Sequence, residues 1–270
     1  MQLIVNDLPQ HGVVIHGPAS AGFSNKLLAL VTVPDDLSGD AMRYSVIVEN
    51  KTPQHIIAMS VVWRFYPSGG EPIMQSYSFS FMGNSVFNNV AESLIKPGEQ
   101  YPLSLLLDSV GFGRQRAQEI KSDGQTKQRL ERVNAQIARS VKWSVEIDGV
   151  LFSNGVCVGP NTTKYLDLLD ARIRGARDMV NELANRLDAG EPAADVLAHA
   201  RSFAEITDEQ LEAPLPDFRE RMHNPEFAYN QAKTGMARQA VARDKNFGGE
   251  RAMIEWIRES SRMHIPLVKQ

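Results

Sequence analysis

Cysteine is almost missing from this chain of 270 residues, and its scarcity limits both the stability and the chemistry we expect. Because Cys157 is the single cysteine, no intrachain disulfide can form, and a reducing compartment is the simplest fit. We therefore expect a cytoplasmic protein. Cys157 is flanked by Val156 and Val158 and has no basic neighbour, which favours burial over a nucleophilic role.

Membrane and nucleic-acid signals are also lacking. No apolar run approaches the roughly 18 residues that cross a bilayer, so no transmembrane segment is predicted. The first residues lack the basic start and apolar core of a signal peptide. The net charge of −3 and the isoelectric point near 6.1 give no electrostatic case for binding nucleic acid or an anionic membrane.

Catalytic signatures are missing as well. The chain has no Gly-x-Ser-x-Gly elbow, and Gly111-Phe112-Gly113 is not followed by the third glycine of a dinucleotide-binding fingerprint. None of the six histidines forms the helical i, i+4 pair of a zinc protease. His11 and His16 are five apart, which places them on opposite faces of an extended strand. The sequence predicts no catalytic residue, no cofactor and no metal ligand.

What is present is a period of two in the first 150 residues. Apolar and polar residues alternate over His55–Tyr66, Ile73–Met82 and Val141–Asp148, and more weakly over Arg43–Glu49. Alternation of this kind is typical of a strand with one buried face. With no helix-length pattern between the early segments, about seven antiparallel strands are predicted, which suggests a β-sandwich, with a barrel as the alternative.

Shorter signals complete the expected strand map. Leu27–Val33 is short and apolar and predicts a further strand. Lys96–Glu99 places proline and glycine at the centre of a β-turn, and Asp148-Gly149 predicts a tight hairpin. Residues 1–20 are interrupted by proline and glycine, and we expect a loosely attached arm or an edge there.

A basic excursion interrupts the strands over residues 108–140. Leu130, Val133 and Ile137 have helical spacing within it, and basic residues outnumber acidic ones by eight to three between Arg114 and Lys142. Nucleic-acid binding is disfavoured because no aromatic residue alternates with these charges to stack on bases. Exposed solvated charge and contact with a protein are the remaining interpretations, and the candidate contact residues are Arg129 and Arg132.

After Pro160 the apolar period changes to that of a helix of about seven turns. Asn161, Thr162 or Thr163 is expected to cap its start, and Gly190 to end it. Further helices are predicted over Pro192–Glu205, after the capping box that starts at Thr207, and over Glu226–Asp244 and Gly249–Arg262. The candidate interaction surface is the apolar stripe of the first helix, at Leu166, Leu169, Ile173, Val180, Leu183 and Leu187.

The front half resembles an immunoglobulin-like sandwich. Trp63 on a long strand resembles the core tryptophan of that fold, and the elements at Tyr44–Val48, Lys96–Gly98 and Val141–Phe152 follow in a compatible order. The cysteine pair of true immunoglobulin domains is absent, so the likeness concerns architecture. With its Gly159-Pro160-Asn161 linker, the whole chain is similar to uncharacterised bacterial proteins in which such a sandwich precedes helices. This resemblance implies no activity and no site residues.

The predicted fold class is therefore α+β, with an N-terminal antiparallel immunoglobulin-like β-sandwich over residues 1–159 and an all-helical region over 160–270. The favoured function is a non-enzymatic protein-interaction or structural module, with a protein partner or a second copy covering the helical stripe. One alternative is an enzyme with a site between the two parts, where Arg219, Arg221 and His223 are candidate donors. Another is ligand or carbohydrate binding by sandwich loops, which Tyr66 and Tyr77 allow.

Overall fold

The structure is a computed structural model, and it describes residues 3–80, 94–106, 118–120, 123–215, 217, 220–221, 223–262 and 268–269. The described residues form two compact units. The first contains those up to Thr163 together with Lys269, and the second contains those from Lys164 to Val268. The chain is α+β, with its sheets in the N-terminal half and its helices concentrated in the C-terminal half.

Strands dominate the first unit, which also contains three α-helices among its described residues. The helices are α1 (Phe23–Leu30), α2 (Ser38–Tyr44) and α3 (Gly124–Ala138), and short 3-10 turns lie at Pro9–His11 and Asp35–Leu37. The strands are β1 (Leu3–Asn6), β2 (Val13–His16), β3 (Val31–Thr32), β4 (Ser45–Asn50), β5 (Ile56–Pro67), β6 (Ile73–Ser80), β7 (Gln100–Ser104), β8 (Gln118–Glu119), β9 (Ser140–Phe152), β10 (Val156–Val158) and β11 (Val268–Lys269).

The larger sheet is built around β5 and β9. Its described strands have the order β11-β10-β9-β5-β6. Strand β1 pairs with the N-terminal part of β9, on the same edge of β9 as β10. Strand β1 runs parallel to Trp143–Glu146, whereas β10 is antiparallel to Val150–Leu151. Strand β5 is buried on both faces from Ile56 to Trp63, as expected for a strand at the centre of a covered sheet.

The smaller sheet has the order β2-β4-β7 and is antiparallel, and β3 and β8 form a separate short parallel pair. Side chains from both larger sheets and from α1, α2 and α3 enter one buried core. Phe65 and Trp143 stack in it with ring centroids 6.1 Å apart, and Tyr44 meets Trp143 edge-on at 6.0 Å. Aromatic pairs at these distances add to the stabilisation that burial itself gives.

The strongly alternating segments are confirmed as the long strands β5, β6 and β9, and the helix predicted inside the basic excursion is confirmed as α3. The predicted turn is also present, because the Glu99 N–H donates to the Lys96 carbonyl at 3.0 Å. Residues 107–117 of the excursion lie outside the described residues.

Of two predictions near the N-terminus, one is confirmed in one of its two forms and the other is wrong. Residues 3–20 form edges rather than a loose arm, since among the described strands β1 pairs only with β9 and β2, at the edge of the smaller sheet, pairs with β4. Leu27–Val33 is mostly helical, because α1 extends to Leu30 before the short strand β3. Phe23 and Leu27 are buried one helical turn apart, so the apolar residues there follow a helical period.

The predicted hairpin at Asp148-Gly149 is wrong as well, since β9 continues through both residues. A register shift opposite Ser60 and Val61 leaves Asp148 as an extra residue in a β-bulge. The chain turns later, between β9 and β10. Gly159 then passes so close that a Cβ atom there would lie 2.7 Å from the Asp148 carbonyl oxygen.

The second unit consists mainly of helices. The apolar stripe correctly predicts a long helix, α4, and the later periodic segments are also helical. The helices are α4 (Tyr165–Asp188), α5 (Ala193–Ala204), α6 (Asp208–Glu212), α7 (Pro225–Asn246) and α8 (Gly249–Arg262). Helix α7 is the packing centre, because it contacts α4, α5, α6 and α8.

Helix α4 approaches α7 very closely at Gly175. A Cβ atom on Gly175 would lie 2.2 Å from the carbonyl oxygen of Tyr229 and 3.1 Å from its Cα atom. Real Cβ atoms essentially never come that close to backbone, so only glycine fits at this crossing. Gly175 therefore sets the spacing of the two helices.

The helix termini agree with the sequence in part. The capping box of α6 is confirmed, with Thr207 Oγ1 accepting from the Gln210 N–H at 3.2 Å. The predicted side-chain cap of α4 is wrong, because Lys164 is the N-cap and makes no such bond. The hydroxyls of Thr162 and Thr163 donate to Asp148 instead.

Candidate functional site

At one end of the larger sheet, the pairing register aligns residues of four neighbouring strands. Ile4 of β1 pairs with Ser144 of β9, Ser144 pairs with Arg64 of β5, and Arg64 pairs with Met74 of β6. Directly paired residues share a face of a sheet, so these four side chains form one row across it. Strands lie about 4.8 Å apart, which gives this row a width of roughly 14 Å.

Large apolar side chains are exposed at this end of the sheet. Ile4 is 43% exposed, Ile73 45%, Met74 54% and Val141 62%. Ile73 pairs with Phe65 beside the row, and Val141 is an extra residue between Ser140 and Lys142, which pair with Pro67 and Tyr66. Ile4 and Met74 lie on the face of the row, whereas Ile73 lies on the opposite face with Phe65. We call Ile4, Ile73, Met74 and Val141, which lie at this end on both faces, the apolar end of the sheet.

The core next to the apolar end is well packed. The stacked Phe65 and Trp143 lie in the core directly next to it, and both are at most 2% exposed. On β6, the Gln75 side chain donates to Gln136 of α3 at 2.9 Å and ties the helix to this strand. Well-packed supports hold exposed groups in a fixed arrangement, which lowers the entropic cost of binding.

A polar cluster lies on the same sheet beside the apolar end. Arg64 forms a two-nitrogen ion pair with Glu146 and also donates to Thr162 Oγ1 at 2.8 Å. The hydrogen bond to Glu146 raises the pKa of Arg64 further above its ordinary value. Arg64 Nη1 also lies 2.7 Å from the Met74 sulfur. These contacts fix the Arg64 side chain on the sheet.

The cluster continues into the bulge at Asp148, whose side chain is fully buried. One carboxylate oxygen accepts from the N–H and the hydroxyl of Thr162, both at 2.6 Å, and the other accepts from the N–H of Thr163 at 3.0 Å and from its hydroxyl. Four donors satisfy a carboxylate that would otherwise be costly to bury. This arrangement holds the segment after β10 in place, and its role is structural.

Lys142 and Tyr66 complete this part of the surface. The Lys142 Nζ atom lies 4.4 Å from the centroid of the Tyr66 ring, a cation–π contact. One face of the Tyr66 ring, which the ligand-binding alternative would use, is therefore covered by a lysine. The side chain of Tyr77, the other residue considered for ligand binding, lies outside the described residues.

Outside the sheet, the described histidines His16 and His199 are each paired with a carboxylate. His16 Nε2 lies 2.7 Å from Glu49, and His199 Nε2 lies 2.6 Å from Glu182, which also pairs with Lys233 at 3.1 Å. Burial raises the pKa of Glu182, but the hydrogen bonds from His199 and Lys233 outweigh burial, so the pKa is lowered. Glu182, His199 and Lys233 lie on α4, α5 and α7, so these ion pairs link three helices and have a structural role.

The predicted interaction surface on α4 is mostly buried. Leu166, Leu169 and Ile173 are at most 5% exposed, Val180 and Leu183 are fully buried, and Leu187 is half-buried. In this unit α4 packs against α5, α7 and α8. The described fold therefore does not present the stripe as an exposed face.

The basic candidates have different environments. Arg129 is half-buried, and its Nη1 donates to the Leu106 carbonyl at 3.0 Å, whereas Arg132 is exposed on α3. Arg221, a candidate donor for an enzyme, pairs with Glu212 at 3.3 Å and donates to the Leu215 carbonyl. His223 is exposed. Arg219 lies outside the described residues.

Other chemistry-bearing groups are dispersed. Cys157 is 1% exposed, which confirms that it is buried. Within the described ranges, no three histidine, cysteine, aspartate or glutamate side chains come together in a way that could hold a metal ion. No helix in the described part of the chain is both long enough and apolar enough to cross a membrane.

No sequence pattern predicted the apolar end, because its residues belong to three different strands. Met74 and Val141 each follow ordinary strand patterns, and Ile4 lies in the segment predicted to be a loose arm or an edge. Only the pairing register brings them together. Searches with family models, curated protein sequences and solved structures find no match to this chain.

Proposed function

We propose that the chain is a non-enzymatic interaction module that docks another protein at the apolar end of the sheet. One observation carries the proposal. Among the described residues, seven large hydrophobic side chains are exposed, and four of them are Ile4, Ile73, Met74 and Val141. Single exposed apolar residues are normal on any surface, whereas several at one end of a sheet favour an interaction site there.

The size of the apolar end is suited to one element of a partner. Ile4 and Met74 lie at the two ends of a row roughly 14 Å wide, with the buried Ser144 and the ion-paired Arg64 between them. An α-helix with its side chains is about 10–12 Å in diameter. Covering the exposed half of each side chain contributes roughly 1 kcal/mol, or about 4 kcal/mol for the four together. A free energy of that size corresponds to a dissociation constant of about 1 mM, so further contacts must contribute to useful affinity.

We also propose that the first unit is a variant of the immunoglobulin-like sandwich, similar to bacterial proteins in which such a sandwich precedes helices. Two features support this. The two main sheets share one core, and Trp63 lies in it on the central strand β5 at 1% exposure. The parallel pairing of β1 with β9 and the three helices would be additions to the basic architecture.

Site-specific photo-crosslinking in the cells that produce the protein tests the docking function. A photoreactive amino acid is placed in the full chain at Met74 or Val141, within the apolar end. Matched controls carry it at Leu28 and Phe247, which are 52% and 63% exposed and lie on α1 and after α7. All four positions therefore present an exposed apolar side chain.

The proposal expects one discrete adduct with a different protein from Met74 and Val141 and no such adduct from Leu28 and Phe247. Equal adducts from all four positions, or none from the apolar end, would refute it. An adduct of two copies of the 30.0 kDa chain would instead show self-association, contrary to docking of a different protein.

A further inference from the structure

Strand β6 forms one edge of the larger sheet. Among the described strands it pairs only with β5, and it comes last in the order β11-β10-β9-β5-β6. In an antiparallel edge strand, alternate residues point their N–H and C=O groups away from the sheet. The eight residues of Ile73–Ser80 therefore present about four N–H and about four C=O groups along the outer edge of β6.

The outer edge of β6 lacks the features with which proteins prevent edge strands from pairing. Such strands are often interrupted by a bulge, by proline or by charged side chains. Strand β6 pairs with β5 over Ile73–Ser80 without a register shift, so no bulge interrupts it. These residues include no proline and no charged residue, and Pro72 stands just before the strand. The edge is therefore suited to receive another strand.

The first two residues of β6 are exposed apolar residues on opposite faces of the sheet. Ile73 pairs with Phe65, on the core face, and is 45% exposed. Met74 pairs with Arg64, on the other face, and is 54% exposed. Side chains along a strand alternate between the two faces. A strand added to this edge therefore brings side chains next to both Ile73 and Met74.

We infer that the protein docked at the apolar end adds an extended segment to the outer edge of β6, an inference that rests on the proposed function. Backbone hydrogen bonds supply the contacts that the apolar side chains alone lack. Two neighbouring apolar residues of the segment lie beside Ile73 and Met74, one on each face. Because Ile73–Ser80 offers no charge to pair with, the segment carries no charged residue alongside it.

A proline scan of β6 combined with photo-crosslinking in the producing cells tests this inference. The full chain carries a photoreactive amino acid at Val141, and Ser76→Pro, Tyr77→Pro and Ser78→Pro are made one at a time. Proline at a residue whose N–H faces β5 breaks the sheet, whereas proline at a residue whose N–H faces outwards leaves the pairing with β5 intact. Urea unfolding identifies the variants that remain folded. Alanine at the same position is the matched control, because alanine keeps the N–H group.

The inference expects a folded proline variant to lower the yield of the Val141 adduct at least about fivefold, and the matched alanine variant to retain it. An undiminished adduct in a folded proline variant would overturn strand addition and leave docking at the apolar end standing. A proline-sensitive adduct between two copies of the chain would overturn the choice of a different protein. If the unmodified β6 gives no adduct from Val141, the proposed function fails and the inference fails with it.

Hydrogen exchange of the purified chain adds a test that does not depend on a variant that folds. Alternate amides of Ile73–Ser80 should exchange rapidly because their N–H groups face outwards, and the amides between them should be protected by β5. Slow exchange at every amide of β6 would show that its outer edge is already covered, and this result would overturn the inference.

Discussion

Replacing Gly175 with alanine should destabilise the helical unit, although alanine is the better helix former. The reason is the contact at the crossing of α4 and α7, where the new methyl group would lie 2.2 Å from the Tyr229 carbonyl oxygen. The obstacle is backbone, so no side-chain rotation can relieve it. The helices must separate, and this loosens the packing of neighbours such as Ala171 and Ala228, which are both buried between them.

Two effects of opposite sign decide the magnitude. Alanine in place of glycine stabilises a helix interior by about 1 kcal/mol. Overpacking of a tight interface costs about 1–3 kcal/mol and occasionally more, and a clash with backbone belongs at the upper limit. The clash therefore wins, and we expect a net loss of about 2 kcal/mol.

The chain supplies a matched control in Gly235, which lies inside α7 and where an added methyl group would meet nothing within 4 Å. Gly235→Ala should raise stability by about 0.5–1 kcal/mol. Urea unfolding followed by circular dichroism at 222 nm compares both variants with the unmodified chain. A Gly175→Ala variant as stable as Gly235→Ala would refute the close crossing of α4 and α7.

Three further predictions concern single side chains. Asp148→Asn should lower the free energy of unfolding by about 2 kcal/mol, because the new amide group cannot accept all the donors of Thr162 and Thr163; urea unfolding measures the loss. Glu182→Gln should cost less than about 1 kcal/mol at pH 7, since the pair with His199 is partly exposed. Val141→Ser should change stability by less than about 0.5 kcal/mol in the same assay, because Val141 is 62% exposed.

The Glu182 prediction has a definite pH dependence. Its pKa in the folded chain is lowered from an ordinary value of 4.5, so the ionised form is the one that stabilises the fold. The contribution is complete above that value and is lost as the pH falls through the lower folded pKa. The difference between Glu182→Gln and the unmodified chain should therefore shrink below about pH 4.5. A difference that stays constant down to pH 3 would contradict the hydrogen bonds assigned to Glu182.

Local periodicity predicted the long helices and strands that bury one apolar face. The stripe of α4 and the alternation of β5, β6 and β9 could be recognised because each pattern repeats over many residues. Leu27–Val33 is too short for its period to be decided, and Phe23, which reveals the helical spacing, lies before that segment.

Long-range contacts account for the other differences. Asp148-Gly149 has the composition of a tight turn, yet the four donors from Thr162 and Thr163 hold Asp148 in a bulge of a continuous strand. No local pattern indicates such partners. Gly175 is a similar case, because its role depends on Tyr229, which is more than fifty residues away in sequence.

The candidate site depended on register in the same way. Arg132 was a candidate contact residue from local charge alone, and the structure shows it exposed on α3, on the helix face that reaches β6 through Gln136. The apolar partners Ile4, Met74 and Val141 could be joined only through the pairing of β1, β9, β5 and β6.

The most direct test of docking at the apolar end compares photo-crosslinking in two double variants that introduce negative charge. A photoreactive amino acid at Ile4 is combined with Ile73→Glu and Val141→Glu, or with the matched changes Leu28→Glu and Phe247→Glu at exposed positions elsewhere. Circular dichroism first verifies that both variants are folded. We predict that the adduct from Ile4 disappears in the first variant and persists in the second. An undiminished adduct in the first variant would contradict the central claim.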